Sequence, residues 1–388
     1  MKLQELREVL YLAMSGEEIA GANLLVLKEG KEICYLEAGY ANREEEIPIR
    51  RDSIFRLYSM TKPITAAAVL SLVEKGKLDL NEPVSKYLSG FRAQKKIENG
   101  SLLPVEREMR LVHLLSMTSG LVYDGATEPE RETGKLFAEI LERMDGERPM
   151  STQEFANRLG GIPLAFEPGS SWKYGTSADV LGAVVELVSG MSLPDYLNQT
   201  FFEPLEMKDT GFFVPEEKQK RLVKAYKKDE KGGLSLYTGS HLGIQNEMKH
   251  LPAFASGGAG LVSTIDDYAA FASMLQQGGS WQGKRILRPR TVEFLTSARL
   301  NAVQKAAFGN WVGLEGFSYG NLMRVMQDCG QACLLGTEGE YGWDGWMGAY
   351  FSNHPKEKVS FLFLMNMPNA GTTSLVRKLK NIVISSLE

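Results

Sequence analysis

Runs that read as strands lie at the two ends of this chain, and runs that read as helices lie between them. Near the N-terminus two short apolar runs, 23–27 and 32–36, flank Lys28-Glu29-Gly30-Lys31, a hairpin signature in which Gly30 supplies the turn. Residues 358–366 are rich in β-formers (Val359, Phe361, Phe363). Beyond them Leu375, Val376, Leu379, Ile382, Val383 and Leu387 recur at helical spacing. In the middle, 64–74 and 179–188 are apolar helical patterns, the second ended by Gly190. A third, 265–275, has Ser263 or Thr264 as its cap and Asp266 and Asp267 in its first turn. A sheet that takes strands from both termini is one body that the chain leaves and re-enters. The expected class is α/β, with a discontinuous sheet domain at 1–75 and 280–388 and a mainly helical domain, 76–279, inserted between them.

At 388 residues the chain can bury about three quarters of its unfolded surface, so its core needs neither disulfide nor metal. Three cysteines make no disulfide framework, and a net charge of −4 gives no basic footprint for nucleic acid. No apolar run reaches the roughly 18 residues of a membrane span. The opening residues, with Glu5 and Glu8, read as a surface helix rather than a secretory signal, which makes the cytoplasm the expected location. Two segments look like excursions. Residues 123–148 are polar and read as a loop or lid, and 215–233, with seven Lys or Arg against four acids, read as a solvated hairpin or loop.

Ser-x-x-Lys occurs twice, as Ser59-Met60-Thr61-Lys62 and Ser170-Ser171-Trp172-Lys173. Only the first opens an apolar helical run, which sets Ser59 and Lys62 one turn apart on one face. Pro63 falls in the first turn, where its missing N–H costs little. A hydroxyl is a weak nucleophile until a nearby base takes its proton, and a lysine serves only when burial leaves its amine partly neutral. The four histidines sit in no Gly-x-Ser-x-Gly context, and no His-Glu-x-x-His, Cys-x-x-Cys or Gly-x-Gly-x-x-Gly pattern supports a metal or nucleotide. His113 lies in an apolar helix, 111–117, as a core or interface residue, and His354 precedes Pro355 in a turn. Tyr174, in a turn-rich loop that leads into a helix, is either a packed aromatic or a second proton handler: held between cations, a tyrosine acts as a phenolate base or as a proton donor.

Three stretches in order, Ser59-Met60-Thr61-Lys62, Tyr174-Gly175-Thr176 and Gly342-Trp343-Asp344-Gly345-Trp346-Met347-Gly348, resemble the motifs of the class C β-lactamase-like serine hydrolases. Within that group they look most like the family VIII carboxylesterases and related acyltransferases. Phe55-Arg56-Leu57-Tyr58, His113-Leu114-Leu115-Ser116-Met117-Thr118-Ser119-Gly120, Glu167-Pro168-Gly169 and Gly257-Gly258-Ala259-Gly260 extend the likeness over roughly residues 20 to 385. The resemblance implies a β-lactamase/penicillin-binding-protein-like fold, an antiparallel sheet flanked by helices with an inserted mainly helical domain and the site in the cleft between. It implies Ser59 as acylated nucleophile, Lys62 as its partner, Tyr174 as general acid and base, and an oxyanion hole from the N–H groups of Ser59 and Trp346, the latter on an edge strand. It places Thr176, Trp343, Asp344 and Gly345 against substrate, and implies no metal or organic cofactor.

Departures from the family pattern bear on the substrate. The third motif usually begins Lys or His, then Thr, which help hold a substrate carboxylate; here Trp343 and Asp344 take those places. Thr176 replaces an Asn of the second motif. Both changes favour small esters over β-lactams. Asp344 either repels anionic substrates from the cleft, or favours a cationic group there, or faces away and pairs with a nearby base. Trp172, Tyr341, Trp343 and Trp346 would make the cleft apolar. The expected function is hydrolysis of a small-molecule ester through an acyl-enzyme on Ser59, with no nucleic-acid or membrane partner. The alternatives are an acyltransferase, a D-aminopeptidase or D,D-peptidase, and, further off, a β-lactamase or a non-catalytic binding homologue.

Overall fold

The hairpin expected around Gly30 forms where the residues place it. In the computed structural model, which describes residues 3–311 and 313–387, strands β1 (Gly21–Lys28) and β2 (Lys31–Asn42) run antiparallel. Glu29 and Gly30 join them, with φ of 54° and 76°. Two left-handed residues in a row give the turn whose twist matches the flanking strands. After β3 (Ile47–Pro48) the remaining strands come from the C-terminal part: β4 (Phe317–Tyr319), β5 (Arg324–Met326), β6 (Tyr341–Asp344), β7 (Tyr350–His354) and β8 (Val359–Met365). They form one 8-stranded sheet in the order β4-β5-β6-β7-β8-β1-β2-β3. The two ends of the chain meet at β8 and β1, antiparallel, with Leu25 opposite Leu362.

Side chains on these central strands alternate between two apolar layers, as the period of two requires. Leu24, Val26, Phe361, Phe363 and Met365 face the terminal helices α1 (Leu3–Ser15) and, at the far end of the chain, Ser374–Ser385, through Leu6, Leu10, Leu375, Val376 and Leu379. Leu25, Leu27, Leu362 and Leu364 face the larger core with α2 (Thr61–Glu74) and the inner helices. α2 is buried over most of its length, and its Ala66, Ala67 and Ala68 give it the narrow profile of a central helix. It packs against the helix Ser177–Ser189, whose C-terminus stops at Gly190 in the left-handed conformation that only glycine adopts freely (φ 73°). The helix Ile265–Gln276, capped by Thr264, packs on β1, β7 and β8, so part of the 76–279 segment also covers the sheet.

Two local expectations change. The polar stretch 123–148 holds a helix, α3 (Glu128–Arg143). A Thr127–Glu130 capping box starts it, and Leu136, Phe137 and Ile140 bury one face, so spacing outweighs charge content. His354 is not in a turn: it ends β7, fully buried, with Nε2 3.0 Å from Ser352 Oγ. The stretch 215–233 is a short 3-10 helix, Glu216–Arg221, followed by the first strand of a hairpin, Ala225–Lys228 paired with Leu234–Tyr237; its tip is exposed as expected, but Val223, Ala225 and Tyr226 are buried. Among the described residues no single helix is long and apolar enough to cross a membrane.

The terminal helix is anchored by charge as well as by apolar packing. Lys380 pairs with Glu340, each 1% exposed in its side chain, and His354 Nδ1 lies 3.8 Å from the same carboxylate. Removing one partner of a buried pair strands the other charge, so Lys380→Met is expected to lower unfolding free energy by about 3–5 kcal/mol in urea titrations. Lys380→Met combined with Glu340→Leu should recover most of that loss. An unchanged unfolding midpoint in the single variant would show that the pair carries no structural weight.

Candidate active site

Ser59 sits at the point where an irregular segment is forced into a helix. Tyr58–Met60 form a single tight turn that runs directly into α2 at Thr61, with Pro63 in the first helical turn. Tyr58 has φ 43°, a left-handed conformation for a large residue that is 1% exposed. Such strain, of order 1–3 kcal/mol, persists only where the surroundings over-determine it. Here they do: Leu57 N–H donates to Leu261 O at 2.9 Å, Leu261 N–H to Thr61 Oγ1 at 3.1 Å, and the Tyr58 ring lies 5.0 Å from that of Trp346.

Lys62 lies beneath the serine, 0% exposed. Its Nζ contacts three groups: Ser59 Oγ at 3.0 Å, Tyr123 OH at 2.9 Å and Gly258 O at 2.7 Å. Three contacts suit either charge state. An ammonium donates to all three. A neutral amine donates to Gly258 O and the Tyr123 oxygen and turns its lone pair to the Ser59 hydroxyl. Burial pushes Lys62 down to about 7, against the opposing pull of the Asp179 and Asp344 carboxylates. Gly258 is itself held by Asp179, which accepts from Gly258 N–H at 3.1 Å and from Ser256 Oγ at 2.5 Å. No Cβ fits on Gly258, since it would stand 2.8 Å from the Asp179 carboxylate.

Tyr174 completes the cluster. While Lys62 is an ammonium the Tyr174 oxygen accepts from Ser59; in either charge state it accepts, at 2.9 Å, from the indole Nε1–H of Trp343, and Lys62 Nζ stands 4.6 Å from its ring centre. Burial pushes this phenol well above the ordinary tyrosine range; the two donated hydrogen bonds oppose that, and Asp344 and Asp179 add to it. The picture of a tyrosine between two cations is therefore corrected: it has one cation and one indole N–H, and its resting form is the phenol.

The cluster opens into a cavity of about 470 Å³ walled by Trp311, Trp343, Trp346, His241 and Leu242, with Ser59 and Tyr174 at its base. Gly345 is the hinge between the two walls. A Cβ there would lie 2.1 Å from Leu57 O, so only glycine lets the end of β6 close on the turn that carries Ser59. That contact brings Trp346 to the cavity, its indole donating to Asn369 Oδ1 at 2.8 Å and stacking on His241 at 4.0 Å. The strand carrying the third motif is not an edge strand: β6 lies between β5 and β7. Its pairing with β5 ends at Gly342, so Trp343 and Asp344 run past β5 into the cavity wall.

Asp344 ends β6 at the cavity. It lines the cavity, and it also accepts from Thr372 Oγ1 at 3.0 Å and lies 3.5 Å from the buried Arg324 guanidinium. Burial raises its pKa and Arg324 opposes that. Thr176 is fully buried at the start of its helix, its hydroxyl unpartnered and outside the cavity wall, which corrects the expectation that it meets substrate. Trp172 packs behind Tyr174 and Tyr341 bonds to Asn353, so neither lines the cavity. Tyr123, His241 and Trp311 do line it without having been singled out. Tyr123 alone carried a signal, as the first residue of the segment read as a lid.

The family model described as Beta-lactamase matches residues 7–379. Esterase EstB of Burkholderia gladioli is 32% identical over 378 residues, covering 92% of this chain and 89% of that protein. Protein Rv1367c of Mycobacterium tuberculosis is 30% identical over 360 residues, covering 89% and 86%. Among solved structures, EstCE1, described as a hydrolase with promiscuous acyltransferase activity, superposes with a TM-score of 0.80 at 26% identity, covering 98% of each chain.

Gly345→Ala should separate the two walls. A shift of order 1 Å in a reacting group costs about 10²-fold, so labelling of the variant by a fluorophosphonate probe should slow by at least that factor. Circular dichroism should remain that of the parent. Labelling at the parental rate would mean that the Leu57 contact does not place Ser59.

Proposed function

The chain belongs to the Beta-lactamase family, and from that premise we propose that it hydrolyses small carboxylic esters through an acyl-enzyme on Ser59. One observation carries the reading: Ser59 Oγ is 3.0 Å from a lysine amine that burial holds near 7. Similarity to EstB, an esterase by name, and to EstCE1 supports the same chemistry.

The protons can be followed through one cycle. Neutral Lys62 takes the Ser59 proton as Oγ bonds to the ester carbonyl carbon. The resulting oxyanion is held by the N–H groups of Ser59 and Trp346. Collapse breaks the bond to the alkoxide, which leaves with the proton of Tyr174. The phenolate left behind is stabilised by the Trp343 indole N–H and the Lys62 ammonium. A water attacks the acyl group and gives its proton to the phenolate, for which a raised pKa is an advantage. Ser59 then departs with the proton that Lys62 has held. Each residue returns to its starting state, with no metal or organic cofactor in the cycle.

The cavity wall indicates which esters fit. Among the described residues it carries the carboxylates Asp124 and Asp344 and neither lysine nor arginine, so nothing there holds a substrate carboxylate by charge. This disfavours β-lactams and peptides ending in a free carboxylate, and favours neutral esters with apolar acyl groups between the tryptophans. A second reading keeps the acyl-enzyme and replaces water by an alcohol, as the description of EstCE1 suggests; product analysis with added alcohol separates the two.

With p-nitrophenyl acetate and butyrate, the parent should turn over and show an acyl adduct by intact mass on the Ser59 peptide. Ser59→Ala should show neither, and equal turnover in the two would remove Ser59 from the mechanism. The pH profile follows from Lys62. Below about 7 the amine is protonated and cannot accept, so kcat/KM should rise with pH through an inflection near 7. A profile flat between pH 5.5 and 8.5 would exclude Lys62 as the base.

A further inference from the structure

A second cavity, of about 490 Å³, lies apart from the ester site and is built around Gly169. Among the described residues its charged and ionisable lining groups are Arg107, His113 and Arg299, and no carboxylate lines it. That composition stands out in a chain where acids outnumber bases, 48 against 44. Gly169 has φ 83°, and a Cβ on it would stand 3.0 Å from Arg107 Nη1 and 3.1 Å from His113 Nε2. The missing side chain is what lets the guanidinium and the imidazole converge over one patch of backbone.

Each donor has capacity to spare. The guanidinium of Arg107 makes one long hydrogen bond, to Pro168 O at 3.4 Å. His113 Nδ1 accepts from the Arg110 N–H at 3.1 Å, which leaves the proton of the neutral ring on Nε2, toward Gly169. Burial and the nearby Arg107 and Arg110 push His113 down to about 4, so at neutral pH it is a fixed N–H donor. Arg299 is held over the Phe294 ring, its Cζ 3.5 Å from the centroid, and its Nε is buried without a partner. Burial lowers Arg299 to about 10, with no carboxylate opposing it. Two guanidinium groups and an imidazole N–H that line one space, with no carboxylate among its described lining residues, form a donor set that binds an oxyanion.

We propose that the cavity between Arg107, His113 and Arg299 is a second ligand site, for a tetrahedral oxyanion: phosphate, or the phosphate group of a small phosphomonoester. Its floor is continuous with the loop that carries Tyr174, since Gly169 N–H donates to Thr118 O at 2.7 Å and Lys173 N–H to Met117 O at 3.1 Å. Occupancy therefore ties that loop to the helix bearing His113, and binding to the folded state alone should raise Tm.

Calorimetric titration of the full chain at constant ionic strength, with inorganic phosphate, glycerol phosphate and acetate in separate arms, tests the site independently of any ester turnover. Saturable binding of phosphate or glycerol phosphate is expected, with a matching rise in Tm and weaker binding of acetate. The tighter of the first two identifies free anion or monoester as the source. Arg107→Gln and Arg299→Gln should each weaken binding about tenfold or more, while Ser59 labelling without phosphate stays at the parental rate and vouches for the fold. No saturable binding, binding unaffected by both substitutions, or acetate binding as tightly as phosphate would overturn the assignment.

Discussion

The site depends on keeping one amine out of water. A lysine exposed to solvent stays protonated well above neutral pH and cannot take a proton from serine. Lys62 is 0% exposed, and each direction its amine can point is already occupied by Ser59, Tyr123 or Gly258. Burial alone would favour ejecting the group, but the nearby Asp179 and Asp344 hold back the shift and leave it titrating near 7. The balance is between desolvation, which makes the amine a base, and two carboxylates, which keep it from losing its proton altogether.

The rest of the molecule holds that arrangement in register. The α2 helix brings Lys62 under Ser59 because one turn separates them, and the Gly257–Gly258 backbone closes over the lysine from the other side. No side chain fits on either glycine: a Cβ would meet Ala178 O at 2.5 Å or the Asp179 carboxylate at 2.8 Å. Asp179 thereby acts twice, as a charge near the amine and as the clamp on the carbonyl that the amine touches. The sheet supplies the opposite wall, and the Gly345–Leu57 contact sets how near the two walls come.

Much of this was legible in the residues, and what escaped did so for physical reasons. The strands at both ends and the helices between showed the discontinuous sheet because each signal is local: a positive-φ turn at Gly30, a period of two in β8, a left-handed stop at Gly190. Ser59 and Lys62 were legible from their spacing ahead of an apolar helix, and Tyr174 only from the resemblance of three ordered motifs to a known family. Tyr123, His241 and Trp311 were not, since each is an aromatic in a loop or turn whose place depends on long-range packing. Trp343 was read as a surface that turns carboxylates away, and it proves also to donate a hydrogen bond to Tyr174, a role set by an indole direction that no spacing encodes. Thr176 matched a motif by position, yet it is the fully buried N-cap residue of its helix and does not line the cavity. By composition the charged stretch of α3 reads as a loop, but its capping box and apolar stripe make it a helix.

The titration of Lys62 itself is the most direct measurement of the central claim. Carbon-13 labelling of lysine Cε, with Lys62→Met to assign the signal, would follow each amine through its protonation change. One lysine resonance moving with a midpoint near 7, absent from the variant, is the expected result. If every lysine titrated near its ordinary value of about 10.4, the buried amine would be an ammonium throughout and some other group would have to activate Ser59.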